Sequence, residues 1–204
     1  MDLLVVRHAE PVRITAEEGG GRPVDPVLTE RGRDQATRLA QWLRHERVDH
    51  VVSSPLARAH QTAAPLAAFH GLEVEIIDGL REYDSESDSY IPVEELKASK
   101  DPRWDAMVRG DWQSFGGESP DRFRARIVAH MDDLIEAHPG QTVVVVCHGG
   151  VVNTFLGSIL DIARPLWFDP IYTSISRVRA SSSGIRSVAS VNEAGHLVGR
   201  RGPA

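Results

Sequence analysis

A chain of 204 residues is long enough for one well-cored domain, and 41% hydrophobic with 25% charged residues excludes disordered and fibrous classes. A formal net charge of −6 offers no general attraction to nucleic acid or to an anionic membrane, so any positive site has to be built locally. No run of about twenty apolar residues is present to span a bilayer; the N-terminus lacks the features of a signal peptide, and the single Cys147 precludes an intrachain disulfide, so the cytoplasm is the expected location.

The first element is Leu3 to Val6, a short aliphatic run suited to a strand buried on both faces, and it ends on Arg7 and His8. A glycine-rich loop (Gly19, Gly20, Gly21) leads to Thr29, an N-cap for a helix whose Ala36, Leu39, Ala40 and Leu43 follow helical spacing. A strand from about His50 to Ser53 precedes a helical "SSPLARAHQTAAPLAAFHG", closed by Gly71 and interrupted by Pro65, which predicts a kink or a restart near Thr62. A third strand covers Glu73 to Ile77. Tyr83 to Pro120 is the least regular stretch, with a helical piece at Glu94 to Ser99, and reads as a lid-like insertion at about 84–120.

Ser119 and Pro120 then start a strong helix carrying Phe123, Ile127 and Leu134 on one face. "TVVVVC" is a second doubly buried strand, and it too ends on a histidine, His148. A helix from about Val151 to Leu160 follows, and Ile175 to Val191 alternates around "SSSG" as a terminal hairpin. Alternating strands and helices without internal repeats predict one α/β domain over residues 1–204, a sandwich around a mainly parallel sheet.

Ligands of such sheets bind beyond the carboxyl ends of the strands. Arg7 and His8, Ser54 with Arg58, and His148 with Gly149 all fall there. Two arginines and two histidines at one rim make an anion trap, and phosphate suits the forked guanidinium donors best. Gly149 and Gly150 let backbone N–H groups approach the same anion. A histidine at the tip of a buried strand also offers a ring nitrogen as a nucleophile for phosphoryl transfer, kept unprotonated by the adjacent arginines. The proton donor for the leaving oxygen is expected to be Glu82 in "GLREYD". Free arginines would lower its pKa, and a bound phosphate dianion would restore it.

Together "VVRHAE", "LTERGRDQA", "SSPLARAHQTA", "LREYD", "GGES" and "VVVVCHGGVVN" resemble the histidine phosphatase superfamily over most of the chain. The resemblance implies a three-layer, phosphoglycerate mutase-like sandwich. It further implies that His8 is the phosphorylated nucleophile, that Arg7, Arg58 and His148 clamp the phosphoryl oxygens, and that Glu82 is the proton donor, later activating water. No metal or organic cofactor is implied. The chain departs from the usual pattern at Ala9 (commonly glycine), Ile14 (commonly a phosphate-contacting asparagine), His60 (frequently arginine) and "SESDSYIPVEEL".

The expected function is hydrolysis of a small phosphorylated metabolite. The alternatives are a phosphoglycerate mutase-type phosphotransferase, whose greater usual length disfavours it, and a non-catalytic phospho-ligand binder, whose hallmark loss of His8 or Glu82 is absent. A cysteine phosphatase is disfavoured because Cys147 should face away from His148 and Asn153 stands where its arginine would be. Taken singly, His8 would be structural more often than not, Glu82 a solvated loop acid, and Glu10 as readily a surface carboxylate as a site residue. His45, His70 and His138 read as helix-end caps, and Trp42 and Trp104 as packing residues. The acids Asp84, Glu86, Asp88, Glu94 and Glu95 argue against highly anionic substrates if they face inward. No nucleic-acid or membrane partner is expected; an exposed sheet edge or the hairpin leaves a homodimer open.

Overall fold

The computed structural model describes residues 1–181 and 183–198. In chain order the elements are β1 (Asp2–Arg7), α1 (Ala16–Gly19), α2 (Glu30–Leu43), β2 (His50–Ser53), α3 (Ala57–His70), β3 (Val74–Ile76), α4 (Val93–Ala98), α5 (Pro102–Arg109), α6 (Pro120–Ala137), β4 (Thr142–Cys147), α7 (Gly149–Ile159), β5 (Ile175–Ala180) and β6 (Arg186–Glu193). The strands form one six-stranded sheet in the order β3-β2-β4-β1-β5-β6. The pairs among β3, β2, β4 and β1 are parallel, and β5 runs antiparallel to both neighbours.

The two aliphatic runs lie side by side, Leu3 against Val143 through Arg7 against Cys147. Because successive side chains of a strand point to opposite faces, each run feeds two cores. Leu3, Val5, Val143, Val145 and Cys147 pack with Phe123, Ile127 and Met131 of α6 and Phe155 of α7. Leu4, Val6, Val144 and Val146 pack with Leu39 and Leu43 of α2 and Ala63 and Leu66 of α3. Burying each large aliphatic or aromatic side chain stabilises by about 1.5–3 kcal/mol, which is why the sheet is covered on both sides. No helix among the described residues is long and apolar enough to cross a membrane.

Local signals place the helix ends. The Thr29 hydroxyl accepts the Gly32 N–H at 2.9 Å and donates to Glu10 Oε1 at 3.1 Å, tying the start of α2 to the loop after β1. Thr29→Ala is expected to lower Tm by about 2–4 °C, the effect of about 1 kcal/mol of cap energy in a domain this size, measurable by calorimetry. Gly71 closes α3 in the left-handed region (φ 65°).

The expected restart near Thr62 does not occur, and α3 runs unbroken through Pro65. Thr62, Ala63, Leu66 and Ala67 are buried on both sides of the proline, so packing holds the helix across its one missing backbone donor. Of the helix-end histidines, His138 occupies the C-cap position of α6 with Nδ1 donating to Gln141 Oε1 (2.9 Å), His70 lies in the last turn of α3, and His45, just past α2, accepts from Arg44 Nε (2.8 Å). The hairpin forms with its turn at the SSSG stretch, of which Ser182 lies outside the described residues.

The stretch after Tyr83 is more ordered than its composition suggests. It contains α4, α5 and a 3-10 turn at Trp112–Phe115, and Trp112 is fully buried. The indole stacks on Tyr83 (4.1 Å, 15°), meets Phe123 edge-on (5.3 Å, 90°) and donates to the Met107 carbonyl (2.9 Å). That anchor fixes the segment's C-terminal half to the core of the α6 face.

Candidate active site

The parallel strands β1, β4 and β2 end at one rim, where Arg7 and His8, His148 and Gly149, and Ser54 emerge; Arg58 comes from the first turn of α3. The His8 N–H donates to the Cys147 carbonyl (2.8 Å), which holds the two histidine-bearing strand ends in step. Arg7, His8, Arg58, Glu82 and His148 are all buried, with at most 7% exposure. Arg7, His8, Arg58, Glu82 and Gly149 line one cleft, and His148 lies just behind it with its ring centroid 5.2 Å from that of His8.

His8 Nδ1 lies 2.7 Å from the Ala9 carbonyl, which can only accept, so Nδ1 carries the proton and Nε2 keeps its lone pair. Burial, then the charges of Arg58 and Arg7, push the His8 pKa well below its ordinary value, and the ring is neutral at neutral pH. Ala9 is accommodated without strain: its N–H donates to Thr62 Oγ1 (2.9 Å) and its methyl packs with Leu28 and Ala36.

His148 is also held neutral, by burial and then by Arg58, His8 and Arg7. Its Nε2 lies 2.7 Å from Ser54 Oγ. That hydroxyl accepts the Leu56 N–H and has no other acceptor for its own proton among the described residues, so it donates to Nε2 and Nδ1 carries the ring hydrogen. Arg7 Nε, Arg58 Nε and His148 Nδ1 are buried with no protein partner among the described residues. Three unpartnered buried nitrogens from three separate segments that end near His8 suit a tetrahedral anion.

Each guanidinium is steered by neighbours that periodicity does not reveal. Arg7 Nη1 donates to the Pro170 carbonyl (2.6 Å) and to Glu94 Oε1 (2.8 Å), with its plane 4.0 Å from the Tyr172 ring. Arg58 lies 4.7 Å from the Tyr90 ring, and its Nη1 is 4.0 Å from Asp25, which also accepts the Ala57 N–H at the start of α3. Asn153 sets the Pro170 loop: Oδ1 accepts from the N–H groups of Trp167 and Phe168, and Nδ2 donates to the carbonyls of Gly149 and Phe168.

Glu82 bridges to the start of α7. Oε2 accepts the Gly150 N–H (2.8 Å) and Oε1 the Tyr83 N–H (3.1 Å). Burial, then the carboxylate of Asp84, raise its pKa to about 7 against the pull of those N–H groups and of Arg58. The elevation therefore arises from the protein itself, without the bound dianion that sequence reasoning invoked. A Cβ on Gly150 would overlap Glu82 Oε1. Gly150→Ala is thus expected to displace the carboxylate and lower kcat/KM about tenfold or more with little change in Tm, in steady-state assays beside a thermal melt.

The remaining sequence candidates separate clearly. Cys147 is buried in the α6 and α7 core, where burial, then the charge of Glu82, push its thiol pKa up. Glu10 lies outside the main cleft, paired with Thr29 and Arg31. His60 is exposed. Ile14 meets Tyr90 through two backbone hydrogen bonds (2.9 and 2.7 Å), pinning the segment that lines the cleft. Trp104, expected only to pack, also lines the cleft. Of the five acids between Asp84 and Glu95, Asp84 lines the cleft and Glu94 reaches Arg7, whereas Glu95 turns to Arg13. Among the described residues no cluster of three or more His, Cys, Asp or Glu side chains could hold a metal ion.

Residues 3–193 match the model of the histidine phosphatase superfamily (branch 1). The chain is 35% identical over 174 residues to phosphoglycerate mutase-like protein 4 of Arabidopsis thaliana, covering 80% of this chain and 71% of that protein. It is 38% identical over 150 residues to phosphoserine phosphatase 1 of Hydrogenobacter thermophilus, covering 72% and 70%. Among solved structures, phosphoserine phosphatase of Entamoeba histolytica in complex with 3-phosphoglyceric acid superposes with a TM-score of 0.73 at 27% identity, covering 97% and 99% of the two chains.

Proposed function

The chain belongs to the histidine phosphatase superfamily and is a phosphatase, and from that premise we propose that it hydrolyses phosphomonoesters through a phosphohistidine formed on His8. The observation that carries this reading is the set of three buried nitrogens without protein partners among the described residues, Arg7 Nε, Arg58 Nε and His148 Nδ1, beside a neutral histidine whose Nε2 lone pair is free.

In the first half-reaction Nε2 attacks phosphorus while the bond to the leaving oxygen breaks. Arg7, Arg58 and His148 hold the non-bridging oxygens, and the N-terminal N–H groups of α7 at Gly149 add to that clamp. The electron pair of the broken bond goes to the alcohol oxygen, which takes the proton of Glu82. In the second half-reaction Glu82, now a carboxylate, accepts a proton from water. The water oxygen attacks phosphorus, the N–P bond breaks, and its electron pair returns to Nε2 as inorganic phosphate leaves. Ser54 and Asn153 are positioning residues: Ser54 sets the His148 tautomer, and Asn153 sets the loop that orients Arg7.

The similarity to proteins named for phosphoserine and phosphoglycerate supports a small phosphorylated metabolite as substrate. The test is to quench a reaction with a 32P-labelled phosphomonoester and follow the protein-bound label. A label stable in alkali, lost in acid and mapping to the peptide containing His8 is expected. Phosphate release with no such adduct, or an adduct elsewhere, would overturn the assignment.

A further inference from the structure

Beyond the phosphate end, the cleft changes character. Its outer wall is built by Ile91 and Val93, by Trp104 and Met107 of α5, and by Leu166 and Phe168 of the loop that Asn153 holds. Among the described residues the only arginines or lysines lining the cleft are Arg7 and Arg58, both at the phosphate end. The nearby Lys97 is tied to Asp169 and lies over the Trp104 ring at 4.3 Å, so among the described residues no further arginine or lysine lines the outer wall. Where this wall meets the phosphate end the lining carries a carboxylate, Asp84, close enough to Glu82 and Arg58 to act on their charges, and its buried Oδ1 has no protein partner among the described residues; the other polar groups of the lining include Asp169, tied to Lys97, and Asn153, whose amide is committed to the loop.

A leaving alcohol bearing a second anion would therefore meet apolar side chains and a carboxylate. Burying that anion without a counter-charge is costly, and a like charge beside it adds to the cost. An apolar or aromatic body has the opposite balance, since it gains burial against Trp104, Met107 and Phe168, and a hydroxyl or ammonium donor on it can satisfy Asp84. Resting on the phosphatase reading, we infer that the cleft selects phosphomonoesters whose leaving alcohol has an apolar or aromatic body and no second anionic group, with Asp84 accepting a hydrogen bond from a donor on that body.

The comparison has to hold leaving-group reactivity roughly constant, so all test esters are of primary alcohols: 2-phenylethyl phosphate, phosphoserine and 3-phosphoglycerate, with p-nitrophenyl phosphate as the reactive control. The expected result is a kcat/KM for 2-phenylethyl phosphate about 100-fold or more above that for 3-phosphoglycerate. Asp84→Asn and, independently, Val93→Lys should narrow this ratio about tenfold, mainly through KM of the carboxylated esters. Because Asp84 also influences Glu82, the ratio between substrates is the readout; a general effect on proton transfer cancels in it. Equal or better turnover of 3-phosphoglycerate or phosphoserine would overturn the inference and leave the phosphatase reading standing. A preference that neither variant narrows would remove Asp84 and the outer wall as its source. Phosphate release from none of the four esters would instead count against the phosphatase reading and this inference together.

Discussion

Replacing His8 with alanine is expected to lower kcat/KM for every phosphomonoester by about 10⁴-fold or more, because the substitution removes the only bond-forming atom that the mechanism supplies. The clamp is built from other segments, so binding should outlast turnover. Arg7 is fixed by Pro170, Glu94 and Tyr172, Arg58 by Tyr90 and Asp25, and His148 by Ser54; none of these contacts runs through the His8 ring. The His8→Ala protein should accordingly retain inorganic phosphate binding within about tenfold by calorimetry, while its phosphate release falls to background. Turnover within tenfold of the parent would sink the nucleophile assignment, and loss of binding together with turnover would place His8 in the clamp instead.

The second large effect belongs to Glu82. With an alkyl ester, whose alkoxide must be protonated as it leaves, Glu82→Gln should cost about 10²–10⁴ in kcat. With p-nitrophenyl phosphate the leaving phenolate needs no proton, so the first half-reaction should stay fast while the second, which requires the carboxylate to accept a proton from water, slows. The variant should then release one equivalent of p-nitrophenol per enzyme in a burst, followed by a slow steady state in stopped-flow traces. The pH dependence has a definite sign. A pKa raised to about 7 keeps the donor proton in place below that pH and loses it above, so kcat/KM for alkyl esters should fall as pH rises through about 7. On the acid side, His8 has its pKa lowered by burial and by the two arginines, so the nucleophile stays neutral well below the usual histidine range. A profile that kept rising through pH 8, or one unchanged by Glu82→Gln, would remove Glu82 from the donor role.

The parts of this molecule that were legible in its sequence are those governed by neighbours in the chain. Leu3 to Val6 and Val143 to Val146 are continuous aliphatic runs because both of their faces are buried. Thr29, Ser119 and Gly71 mark helix ends through hydrogen bonds or backbone angles set within a few residues. That Arg7, His8 and His148 come together was legible because parallel strands deliver the residues at their ends to a common edge. Glu82 needed the family motif, since nothing local distinguishes it from a solvated loop acid.

The illegible residues act across long sequence separations. Tyr172 and Pro170 meet Arg7 from more than 160 residues away, and Tyr90 reaches Arg58 from an irregular stretch with no periodic pattern. Trp112 shows the same limit in the core: a lone tryptophan among polar residues gives no sign that Tyr83 and Phe123 will enclose it. Asn153 was noted only for not being an arginine, yet its amide fixes the loop that supplies the Pro170 carbonyl.

The burial of Cys147 also has a practical consequence for spectroscopy. It is the only cysteine in the sequence and is fully enclosed in the core, with its thiol pKa pushed up, so the folded protein presents no native sulfur to maleimides or spin-label reagents. A cysteine introduced at the exposed Glu86 would be the single reactive thiol, and the segment over the cleft could be tagged and watched during turnover without first engineering away a native residue.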